Sequence, residues 1–253
     1  MDPVLRLVNR NLTATIDKPF LIWQIIFPLV YIFVAGYAYT SIIGSVSVGA
    51  VTIDYPAFIA SGMIGFNVMN SSLIAGTMIW TDRRNGMFEQ ILVGPFTRAQ
   101  YIASNILTIT MIGLISAGMI FAVSIPTVFA NAPISLPTLP YMILSIIVGS
   151  IFFGSLAIIA SIKLHSSERF QITINTMFLF FAFVSTTFYP SQGAPEALSN
   201  AFYVNPLTYL VDIIRFGLFG TFGSFIVWEA IVLVIASAVM FLIATFMLAK
   251  LNA

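Results

Sequence analysis

The sequence contains no cysteine and only one histidine, His165, in 253 residues. That excludes a disulfide framework, a zinc-thiolate site, an iron-sulfur cluster and a cysteine nucleophile. Charge is nearly as scarce. Asp, Glu, Lys and Arg together make up 8% of the chain and its net charge is +1, so no surface is basic enough to neutralise the phosphates of DNA or RNA. Soluble domains carry about a quarter of their residues as charges. With 59% hydrophobic residues, this chain lacks the polar surface that water requires, and lipid must be its main solvent.

Crossing a hydrocarbon core of about 30 Å takes about 20 apolar helical residues. Six charge-poor stretches qualify, predicting an all-α membrane protein: Phe20 to Thr40, Ala57 to Trp80, Tyr101 to Phe129, Tyr141 to Leu164, Phe170 to Tyr189 and Phe225 to Leu248. The first begins after a mixed-charge leader and is too long for a signal-peptide core, so it is expected to stay in the mature protein. Arg6, Arg10, Lys18, Arg83, Arg84, Arg98, Lys163, Arg169 and Lys250 flank the spans on one side, and only Arg215 lies on the other. The positive-inside rule then puts both termini in the cytoplasm of a multi-pass cell-membrane protein. Within the spans, Asn67, Asn70 and Ser71 share one helical face and Gln171 and Asn175 another; such groups either bond neighbouring helices or line a substrate path.

Three shorter segments complete the organisation. The leader predicts an amphipathic helix capped by Asp2 with Pro3 in its first turn, carrying Val4, Leu5, Val8 and Leu12 on one face and Arg6 and Arg10 on the other. Residues 82–95 predict a short cytoplasmic helix with Phe88, Ile91 and Leu92 on one face, ended by Pro95. Leu207 to Phe219 is apolar, yet it is too short to span and holds Asp212 and Arg215. A charge at mid-bilayer costs about 2.5–3.5 kcal/mol, so an outer interfacial or re-entrant helix is expected, capped by Asn205, with Pro206 at its first position and Gly217, Gly220 and Gly223 at its exit.

The run Asp82-Arg83-Arg84-x-Gly86-x-x-Glu89-Gln90-x-Leu92-Val93-x-Pro95-x-x-Arg98 resembles the segment after the second span of type-2 ABC transporter permeases. Phe188-Tyr189-Pro190, Pro195, Leu198 and Asn205-Pro206-Leu207-Thr208-Tyr209-x-x-Asp212-x-x-Arg215 is similar to that family's outer signature before its last span. Pro28 and the stretch from Phe58 to Gly62 also fit the pattern, closest to the drug- and lipid-exporter branch. The sequence departs from it at Phe181-Ala182-Phe183, where many relatives place a proline.

The resemblance implies a six-span subunit of a dimer that passes an amphipathic drug, lipid or lipid-linked glycan between its two membrane halves. It assigns Arg84, Gly86, Phe88, Glu89 and Leu92, with Glu168 in the next loop, to docking a cytoplasmic ABC ATPase. It assigns Pro190, Asn205, Pro206, Tyr209, Asp212 and Arg215 to an outer gate within a re-entrant region at about 190–222. None of Lys18, Lys163 and Lys250 lies in a phosphate-binding Gly-Lys-Ser/Thr loop, so ATP and Mg belong to the partner ATPase and this chain is expected to bind no cofactor or metal. An ion-gradient-driven transporter, a lipid-modifying enzyme and a non-transporting anchor subunit remain open on the sequence.

Overall fold

The computed structural model describes residues 2–191, 194–220 and 225–250. Gly223 and parts of the 190–222 region therefore lie outside the described residues. The chain is mostly helical. Helix α1 spans Pro3–Thr15, with Asp2 accepting from the Val4 amide at 2.8 Å. A long helix, Lys18–Ile43, comprises α2 (Lys18–Val30), a wide π-helical stretch (Tyr31–Ala35) and α3 (Gly36–Ile43). There follow β1 (Ser45–Val48), β2 (Val51–Asp54), α4 (Tyr55–Gly76), α5 (Met78–Arg84), α6 (Met87–Val93) and α7 (Arg98–Ser124). After a 3-10 turn at Leu136–Thr138 come α8 (Leu139–Lys163), α9 (Ser167–Phe183), α10 (Glu196–Phe202), α11 (Pro206–Phe219) and α12 (Ile226–Ala249).

Five helices among the described residues are long and apolar enough to cross a membrane: Lys18–Ile43, Tyr55–Arg84, Arg98–Ser124, Leu136–Lys163 and Ile226–Ala249. The expected fifth span, Phe170 to Tyr189, differs. Its helix α9 has 17 residues and stops at Phe183, a length of about 26 Å at 1.5 Å per residue, and residues 184–189 continue without regular structure.

Burial is distributed as lipid demands. Large apolar side chains such as Ile22, Trp23, Val34, Ile42, Trp228, Leu242 and Phe246 point outward, while Ser61, Ser71, Ser104, Ser116, Ser150 and Ser155 are buried. Small residues at crossings let backbones approach where apolar surface gains nothing by leaving lipid. Helix α4 is the hub. It is buried along most of its length and packs on α7, α8 and α11. A Cβ at its Gly62 would lie 2.3 Å from the Thr187 carbonyl oxygen, so only glycine lets the irregular segment after α9 lie against α4.

The α2–α4–α7 contact is a polar knot built on a proline. Pro28 has no N–H, which frees the Gln24 carbonyl one turn earlier; Asn67 Nδ2 donates to it at 3.1 Å and also to the Ser116 carbonyl at 3.2 Å. Gln24 Nε2 donates to Ser116 Oγ at 3.0 Å, and Asn70 Nδ2 donates to Gln24 Oε1 at 3.0 Å. The Ser71 hydroxyl bonds locally to the Val68 carbonyl. The widened stretch at Tyr31–Ala35 lies just beyond that proline.

Gly62→Val should force the 184–188 segment off α4 at an overpacking cost of about 1–3 kcal/mol and lower the thermal midpoint of the purified protein. Gly118→Ala, where a Cβ meets open space, should leave it unchanged.

Candidate functional site: two polar ends of an apolar bundle

Helix α1 and the end of α12 lie at one end of the bundle, called the terminal end here. Arg98 Nη1 donates to the Ala249 carbonyl at 2.8 Å, joining the start of α7 to the end of α12. Arg10 of α1 donates through Nη2 to both oxygens of Asp82, at 2.7 and 2.6 Å, and the Tyr101 hydroxyl donates to Asp82 Oδ2 at 2.8 Å. Asp82 is buried, so α1, α5 and α7 meet on one carboxylate. The leader helix rolls accordingly: Leu7, Val8 and Asn11 are buried while Leu5 is 49% exposed, because the ion pair, more than the apolar stripe, sets which face turns inward.

The second span ends at Arg84, and the chain reverses through Gly86 at φ +67°, a left-handed conformation that favours glycine. Helix α6 follows. Phe88 is buried edge-to-face on Tyr101 at 5.3 Å, and Ile91 is buried beside it. Leu92 is half-buried, Glu89 and Gln90 are exposed, and Val93 is 90% exposed. Arg83 Nη1 donates to the Ser161 and Ile162 carbonyls at 2.6 and 3.1 Å, capping the end of α8. Arg84 donates to Ser167 Oγ and lies over the Trp80 ring, which stacks on Phe170 at 4.8 Å. Glu168, in the first turn of α9, is exposed next to that contact.

At the far end, Asn205 and Arg215 bind the irregular backbone that follows α9. The Asn205 Oδ1 caps α11 by accepting from the Leu207 amide at 2.9 Å, while its Nδ2 donates to the Phe181 carbonyl at 2.9 Å and to the Val184 carbonyl. Pro206 follows at the first helical position. Leu210 packs on Gly149 and Gly217 on Met142, so α11 runs antiparallel to α8, with these two contacts about 10 Å apart along α8. Thr138 Oγ1 donates to the Gly217 carbonyl at 2.9 Å and fixes that end.

Arg215 is buried with a 4% exposed side chain. Its Nη1 donates to Asp212 Oδ1 at 3.1 Å, Nη2 to the Thr186 carbonyl at 2.8 Å and Nε to Ser61 Oγ at 3.2 Å, with the guanidinium 3.8 Å from the Phe58 ring centroid. Thr186 Oγ1 donates to the same Asp212 oxygen at 3.1 Å. Tyr209 donates to the Tyr203 carbonyl, and Pro190 lines a cavity with these groups.

Residues 4–219 match the ABC-2 type transporter family. The chain belongs to that family. It is 25% identical over 258 residues to the "Putative transport permease ycf38" of Pyropia yezoensis, covering 96% of this chain and 84% of the relative. The protein of the same name from Porphyra purpurea is 25% identical over 219 residues, covering 83% and 74%. This ABC-2 family chain is thus a multi-pass membrane permease, a transmembrane component that is not itself catalytic.

Of the residues singled out by sequence, Asp212 and Arg215 meet in one network with Thr186 and Ser61, Asn205 binds the Phe181 and Val184 carbonyls separately, and Phe88, Glu89 and Leu92 divide between the inner and outer faces of α6. Asn67 and Asn70 are engaged with α2, whereas Gln171 and Asn175 are exposed on α9. Sequence reasoning missed the β hairpin, although Val46, Val48, Val51 and Ile53 alternate around Gly49-Ala50. It also missed Gln24 and Tyr101, whose roles depend on partners distant in the chain.

Asp82→Ala strands the Arg10 guanidinium and should cost about 3 kcal/mol, read as a lower thermal midpoint, and Arg10→Met, which strands the more buried Asp82 carboxylate, should lower it too. Arg215→Glu sets a second carboxylate against Asp212 and the Thr186 carbonyl. It should prevent accumulation of folded protein; membrane abundance and a thermal midpoint equal to wild type would refute the latch.

Proposed function

We propose that this permease is the membrane subunit of an ATP-driven exporter whose ATPase docks on α6. The observation that carries the reading is the two-faced seating of that helix. Phe88 and Ile91 anchor it in the bundle, which leaves Met87, Glu89, Gln90 and Val93 presented as a mixed apolar and polar surface beside Glu168 and Arg84. A free-standing solvated helix has no reason to keep Val93 90% exposed; a seat in a soluble partner supplies one. The terminal end is cytoplasmic in this reading, since nine of the ten basic residues flank the spans there. ATP and Mg are held by the partner.

The path runs between two copies of the permease, most simply identical ones, in the cell membrane. Gln171 and Asn175 lie exposed on α9, flanked by the exposed Ile172, Leu179, Phe180 and Phe183. Amides turned to hydrocarbon are costly; facing a second subunit and its path relieves that cost. An amphipathic drug, lipid or lipid-linked glycan matches a wall that mixes amides with aromatic rings. In the same reading α9 and the 184–189 segment complete a sixth crossing, α10 and α11 re-enter from the outer side, and α1 lies along the cytoplasmic surface.

Affinity purification from native membranes tests the docking. The wild-type chain should bring down a soluble P-loop ATPase in near-equal amount, and Glu89→Arg should fold normally yet lose at least about tenfold of it, through a reversed charge on the docking face. Undiminished co-purification with Glu89→Arg would remove α6 as the seat.

A further inference from the structure

A cavity at the far end brings two carboxylates and a ring-lined wall together. It encloses about 320 Å³ between the β hairpin, the segment after α9, α10, α11 and the start of α12. Its charges do not balance. Asp212 and Glu229 both line it against a single guanidinium, Arg215, and that guanidinium is committed to Asp212, Ser61 and the Thr186 carbonyl. Glu229, half-buried in the first turn of α12, has neither an ion pair nor a side-chain hydrogen bond among the described residues.

A second observation is independent of charge. Thr208 is 5% exposed and lines the same cavity, yet its hydroxyl oxygen is buried without a hydrogen-bond partner. A buried hydroxyl left without a partner is unfavourable, and its natural complement is a donor or acceptor brought in by a ligand. The surrounding wall is aromatic, with Phe58, Phe202, Tyr203 and Tyr209 among its members, and ring faces attract cations.

We propose that this cavity binds a small primary organic ammonium with an aromatic or alkyl body. The ammonium sits against Glu229 and within the field of Asp212, donates one N–H to Thr208 Oγ1, and lays its body on the rings. Anions are repelled by the uncompensated carboxylate. A divalent metal is a poor fit, because no cluster of three metal-ligating side chains exists among the described residues and one of the two carboxylates is already paired with arginine. The site lies at the opposite end from α6 and stands apart from the docking of an ATPase.

Isothermal titration of the full-length chain in phosphatidylcholine nanodiscs with 2-phenylethylammonium tests it, with 2-phenylethanol as the uncharged isostere. One saturable site per chain is expected, with the alcohol at least about tenfold weaker. Glu229→Gln should weaken the amine by a similar factor and Thr208→Val by about threefold to tenfold, both at the wild-type thermal midpoint. Absence of saturable binding at millimolar amine, or equal affinity for amine and alcohol in the wild-type chain, would overturn the proposal without bearing on α6. So would folded Glu229→Gln protein that binds the amine as wild type does.

Discussion

The far half of the bundle depends on one buried cation. Helix α9 stops at Phe183, and the backbone that continues from Val184 carries carbonyls with no helical partner. Irregular backbone at membrane depth is tolerated only where protein satisfies it. Arg215 supplies the donor to the Thr186 carbonyl, and Asn205 supplies donors to Phe181 and Val184. The cost of burying a guanidinium is offset by Asp212, by Ser61 and by the Phe58 ring. Loss of one partner leaves the others unsatisfied, which makes α4, α9 and α11 a single cooperative unit.

The same accounting explains the interior near α2. A proline in a spanning helix frees a carbonyl, and the structure satisfies it from the neighbouring helix through Asn67. Because Asn67 also reaches α7, and Gln24 links Asn70 to Ser116, three helices share one set of bonds. Apolar packing alone cannot choose among rotations of greasy helices in lipid. Directional bonds at this knot fix how α2 faces α4.

At the terminal end, Asp82 joins the leader helix, the end of the second span and the third span, and Tyr101 joins that carboxylate to Phe88 of α6. A force applied at α6 therefore meets packed aromatic and ionic contacts that lead directly into α5 and α7. The two polar ends are connected by α4 and α5, which follow one another through Thr77 from the Phe58 and Ser61 contacts of Arg215 to Asp82.

Sequence by itself determined the solvent, the apolar segments and the charge asymmetry, because hydrocarbon thickness and charge burial impose strong, local and additive constraints. Caps at Asp2 and Asn205 and the stop near Pro95 were equally legible, since each acts within a few residues. Tertiary structure alone decided where α9 ends, because the apolar run continues to Tyr189 and only Asn205, Arg215 and Gly62 make an earlier stop tolerable. It alone turned Arg10 toward Asp82, leaving Leu5 of the leader helix exposed, and set Glu229 and Asp212 around one cavity. Those outcomes rest on pairings between residues far apart in the chain, such as Arg10 with Asp82 and Arg215 with Ser61, and no local pattern encodes such a pairing.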